Sequence, residues 1–168
     1  MGARLAGSQT LCDYARGEAY PLERILDVAE RASEREPDHL PLLMQALADP
    51  HSVVRYWAAT GCLILQEQAA PAREQLRLRL QDEWHDVRVV AAEALAHLGE
   101  AEGAVRALAV VLKSGNLYEA LAAQNALDFL RQAGRVQLDT VLDLVRDLEF
   151  PEPGDRIPRY WLEEAGQQ

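Results

Sequence analysis

A spacing of 33 residues recurs along this chain, and it constrains the fold more than any other feature. When the stretch 40–65 is slid by 33 positions, Leu43 falls on Leu76, Leu47 on Leu80, Asp49 on Asp82, Val54 on Val87 and Arg55 on Arg88. Ala58, Ala59 and Leu65 fall on Ala91, Ala92 and Leu98. A further shift of 32 reaches Leu108, Leu112, Ala123 and Leu130. One column holds only small residues, Gly61, Ala94 and Ala126, and the next holds Cys62, Leu95 and Leu127. The columns run on as half-repeats, through Ile25, Val28, Ala29 and Ala32 before them and Leu138, Val141, Leu142 and Val145 after. A fixed period of this size is the signature of stacked supersecondary units.

Within each unit the apolar spacing is helical. Val87, Val90, Ala91, Ala94, Leu95 and Leu98 lie on one face of a helix, as do Val105, Leu108, Ala109 and Leu112. Breaks fall at Pro37-Asp38, Asp49-Pro50, Gly99, Gly115-Asn116 and Gly134. Asp38 is suited to an N-cap, Asn116 with Glu119 resembles a capping box, and Gly99 and Gly134 suit the left-handed residue past a helix end. The pattern predicts helices over 22–35, 39–48, 52–66, 71–82, 86–98, 102–113, 117–132 and 137–149, with no strand. One amphipathic hairpin cannot bury its own apolar face, so the hairpins must stack. The expected fold is all-α, an α-solenoid of antiparallel hairpins with seven or eight helices. Its parts are a half-repeat over 20–36, repeats over 38–66, 71–99 and 102–133, and a half-repeat over 135–149. Residues 1–19 read as a cap or lead-in, with one short helix around Leu11–Ala15. Residues 150–168 read as a tail in which Tyr160, Trp161 and Leu162 cover the last repeat.

The recurring Val54-Arg55-Tyr56-Trp57-Ala58-Ala59 and Val87-Arg88-Val89-Val90-Ala91-Ala92 resemble the second helix of HEAT-like repeats over residues 20–149. The third repeat departs from that pattern, with Ser114 at the turn Asp position and Ala120 at the Arg position. The resemblance implies that Asp49, Arg55, Asp82 and Arg88 form a structural ladder between adjacent turns. A narrower resemblance rests on Tyr20-Pro21-Leu22-Glu23-Arg24-Ile25-Leu26, Leu40-Pro41 and Ser52 to Gly61, which look like the helical C-terminal region of some bacterial sulfatases. That resemblance implies a catalytic domain lying outside this sequence. Sulfatase maturation needs C/S-x-P/A-x-R, and Cys12-Asp13-Tyr14-Ala15-Arg16 departs from it at Tyr14, so no catalytic role is expected of Cys12.

Composition narrows the function classes. The net charge is −10, and Lys113 is the only lysine. Phosphate backbones and anionic membranes are both recognised through clustered Lys and Arg, so neither is an expected partner. No apolar run approaches the roughly 18 residues of a membrane span, and residues 1–10 carry no signal-peptide core, which leaves a soluble chain of undetermined compartment. Cys62 reads as a small hydrophobe. His39, His51, His85 and His97 lack metal-ligand spacing, and no phosphate loop or nucleophile elbow is present. No cofactor, metal or catalytic residue is therefore expected.

The core columns fix which face of each second helix is buried. The opposite face carries Tyr56, Trp57 and Thr60, then Val89 and Glu93, then Leu121 and Asn125. These residues are the expected binding surface, on the concave side of the stack, for a protein partner or companion domain. The competing readings are that Tyr56 and Trp57 fill space between repeats, that the chain is an enzyme on the same scaffold, as in HEAT-like bilin lyases, or that its ends drive oligomerisation.

Overall fold

The computed structural model describes residues 20–113 and 117–146. Among them the regular structure is entirely helical. Helix α1 spans Leu22–Glu34, α2 Leu40–Ala46, α3 Ser52–Leu65, α4 Arg73–Arg79, α5 His85–His97, α6 Ala101–Leu112, α7 Leu117–Gln132 and α8 Leu138–Arg146. Short 3-10 turns at Pro37–His39 and Gln66–Ala72 lead into α2 and α4. The proposed lead-in helix around Leu11–Ala15, Cys12, and the tail residues Tyr160, Trp161 and Leu162 lie outside the described residues.

The C-terminal ends of α5 and α7 follow local chemistry. Gly99 and Gly134 have φ of 90° and 67°. Each closes a Schellman motif: Glu100 N–H donates to Leu95 C=O and Gly99 N–H to Ala96 C=O, while Arg135 N–H donates to Leu130 C=O and Gly134 N–H to Arg131 C=O. Asp38, expected to cap a helix, instead sits inside the 3-10 turn and caps nothing, because Pro37 opens that turn and α2 begins only at Leu40. Arg35 and Gln66 adopt positive φ without being glycine, which the residue types did not foretell. Asn116, the first residue of the expected capping box, lies outside the described residues.

Packing follows the repeat. Helices α1, α3, α5 and α7 contact one another in succession, and α2, α4 and α6 each pack on the helix that follows. Helix α5 is shared by both halves of the core. Its Val90, Ala91, Ala94 and Leu95 join an apolar cluster with α1 to α4, and its Val89, Ala92 and Ala96 join a second cluster with α6 to α8. Gly61 shows how close the helices come: a Cβ there would lie 2.7 Å from Leu43 Cδ1 and 3.1 Å from Ala32 Cβ. Ala94 and Ala126, its column mates, are buried as well.

One charged pair crosses this packing. Arg55 donates from Nε and Nη2 to the two carboxylate oxygens of Asp82, both at 2.7 Å, and from Nη1 to the carbonyls of Asp49 and Pro50. Arg55 is 5% exposed and Asp82 6%, so the fork is shielded from water. Burial pushes the Asp82 carboxyl up, but the Arg55 hydrogen bonds, the Trp84 N–H and the nearby Arg79 outweigh it, and the net shift is downward.

Two stability outcomes follow. Ala94→Leu forces a larger side chain into a filled contact and is expected to destabilise the fold by about 1–3 kcal/mol; an unchanged melting temperature would place this face outside the core. Asp82→Ala strands the Arg55 guanidinium and is expected to cost about 3–5 kcal/mol by urea titration.

Candidate functional site

The expected surface residues come from three successive helices, and their environments differ. Tyr56 and Trp57 on α3 are half-buried and pack on the first apolar cluster, with their rings edge to face at 5.8 Å between centroids. They fill space between helices while keeping an exposed edge. Thr60, one turn on, donates its hydroxyl to Tyr56 C=O within its own helix. Val89 on α5 is buried in the second cluster, because α5 lies between neighbours on both sides. Leu121 and Asn125 on α7 are exposed.

Glu93 is the chemically distinctive member. It is half-buried on α5, and no hydrogen bond or ion pair to it is found among the described residues. Burial alone pushes its carboxyl up to about 7 from an ordinary value of 4.5. Residues 89, 93 and 97 follow i, i+4, i+8, so Val89, Glu93 and His97 form one stripe along α5. Ionic contacts border both ends of this stripe. At one end Arg135 Nη2, after α7, pairs with Glu67 Oε1, after α3, at 2.8 Å across 68 positions of sequence. His97 sits in the field of both: burial lowers its pKa first, Arg135 lowers it further, and Glu67 partly opposes them. At the other end His85 Nδ1 lies 3.0 Å from Glu119 on α7.

Sequence reasoning did not find the Glu67, His97 and Arg135 grouping, since their pairing depends on how tightly the stack turns. It also missed the apolar extent of α7. Leu117, Tyr118 and Phe129 are 67%, 79% and 63% exposed, and Leu121 is 48% exposed. The fourfold spacing of Leu117, Leu121, Asn125 and Phe129 was a visible signal for one helix face.

The ladder residues divide. Asp49 accepts the His51 N–H and pairs with Arg24 at 3.2 Å, and Arg55 reaches Asp82. Arg88 Nε is buried without a hydrogen-bond partner, and the turn that would face it, around Ser114, lies outside the described residues. Cys62 is a buried free thiol whose pKa burial pushes up to about 12, so it packs as a hydrophobe. Among the described residues no group of His, Cys, Asp and Glu is arranged to hold a metal ion, and no helix is long and apolar enough to cross a membrane. No family model matches the chain, and no curated protein matches it either.

The Glu93 carboxyl has a signed consequence for stability. Between its ordinary value of 4.5 and about 7, the folded state keeps a proton that the unfolded chain has lost. Stability therefore falls as pH rises through that window, and the full penalty stands above it. Glu93→Gln is expected to stabilise the protein by about 1–3 kcal/mol at about pH 8, with the gain shrinking toward pH 5. Melting curves across that range check it; a gain independent of pH would mean that Glu93 is not desolvated.

Proposed function

We propose that this chain is a non-catalytic interaction module, an α-solenoid of HEAT-like hairpins that holds a protein partner or companion domain. The observation that carries the reading is the apolar face of α7. Leu117, Tyr118, Leu121 and Phe129 expose large hydrophobic side chains on a single helix, where isolated exposed apolar residues would need no explanation but a grouped set does. Tyr56 and Trp57 on α3 add aromatic edges, and such side chains often supply interface anchors. The successive contacts of α1, α3, α5 and α7 support a solenoid, because second helices in such a stack share one side. The resemblance to the helical region of sulfatases makes a hydrolase domain the first companion to test.

The experiment places a photo-crosslinking amino acid at position 121 in cells producing the protein. A single reproducible adduct is expected, lost when Tyr56 and Trp57 are both changed to alanine, since truncating a central anchor weakens binding by about 2 kcal/mol or more. Absence of any adduct from a folded protein overturns the reading. An adduct only with a second copy of the chain redirects it to self-assembly.

A further inference from the structure

We infer that the stripe of α5 between α3 and α7 docks a partner polypeptide that presents an arginine or lysine side chain to the Glu93 carboxylate. The inference rests on the interaction-module reading and gives its partner a chemistry. A carboxyl held away from water without a partner is costly, and a cation delivered to it recovers the lost stabilisation. The polar side chains at the matching repeat positions and at the near end of the stripe supply no cation to it. The Thr60 hydroxyl donates to Tyr56 C=O, Arg135 is spent on Glu67, and His97 is held toward its neutral form by burial and by Arg135. Asn125 lies at the matching position on α7 and carries no charge. With a net charge of −10 over the chain, the approach of a basic segment is favoured before contact.

Helices α3 and α7 both pack on α5; the Arg135–Glu67 contact joins the segments that follow them across the C-terminal end of α5, and His85 at its N-terminal end reaches Glu119 on α7. Glu93 lies on the stripe between those contacts. Exposed Leu121 on α7 and half-buried Tyr56 on α3 occupy the repeat positions equivalent to Val89, one turn before Glu93, and offer apolar surface to the aliphatic stem and flanking residues of the incoming segment. An arginine seated here forms a fork of charge-assisted hydrogen bonds with the carboxylate.

The test uses acetyl-Leu-Arg-Leu-amide and its citrulline counterpart, which keeps the shape and removes the charge. Both are titrated into the full chain at about pH 8, with the Glu93 side-chain carbon followed by NMR. The arginine peptide is expected to bind at least about tenfold more tightly than the citrulline peptide and to lower the Glu93 pKa by about one unit or more, because a ligand that prefers the ionised carboxylate favours loss of its proton. In Glu93→Gln, checked by melting curve to be folded, the two peptides are expected to bind alike. Equal binding of both peptides to the unaltered protein overturns the inference. If that equal binding is lost in Leu121→Asp, the docking surface stands and only its preference for a cation falls. If neither peptide saturates, the inference falls, and crosslinking at position 121 then decides the interaction-module reading separately.

Discussion

The buried positions that recur along α3, α5 and α7 are largely alanine and glycine. Ala58, Ala59 and Gly61 on α3, Ala91, Ala92 and Ala94 on α5, and Ala123 and Ala126 on α7 are all buried, and Gly61 faces Ala32 on α1 and Leu43 on α2. Small side chains let helix axes approach, and a close approach leaves no room for repair: at Gly61 even one methyl would press on Leu43 and Ala32. Leucines behind this layer, such as Leu43, Leu76, Leu95, Leu108 and Leu127, supply most of the apolar burial.

That close spacing sets the polar contacts as well. Arg55 reaches the next turn's Asp82 because consecutive turns lie within one side chain's length, and the same compression brings Glu67 to Arg135 across two units. Buried charge pairs add little net stability over apolar contacts, but each is intolerant of losing one member. The Arg55–Asp82 fork therefore acts chiefly on the register of neighbouring hairpins. The third unit has Ser114 where the matching Asp would stand, and among the described residues Arg88 Nε has no hydrogen-bond partner. Glu93, half-buried and with no partner found among the described residues, has its carboxyl pKa raised by the same crowding of helices around α5.

Central position separates the helices' roles. Helix α5 is covered from four sides and contributes to both apolar clusters, so even its outward Val89 is buried. Helix α7 has fewer neighbours and exposes Leu117, Tyr118, Leu121 and Phe129. Equivalent positions in a repeat are equivalent in backbone register only; their exposure depends on how many neighbours each helix has.

The helices, their order and most of their buried faces were legible in the sequence, with Val89 the exception. Period and apolar spacing are local properties, and Gly99 and Gly134 mark helix ends through backbone freedom that needs no tertiary partner. It located the small-residue column and both halves of the Arg55–Asp82 pair, since each recurs at the repeat spacing. Tertiary structure alone decided that Asp38 caps nothing, that Tyr56 and Trp57 are wedged between helices with one edge free, and that Glu67, His97 and Arg135 gather at one end of α5. It also decided that Glu93 is deprived of water while Asn125, its counterpart one unit on, is not. Solvent access is set by what packs on either side of a residue, and that depends on how many helices surround each one in the packed fold, which a pattern repeated along one chain does not encode.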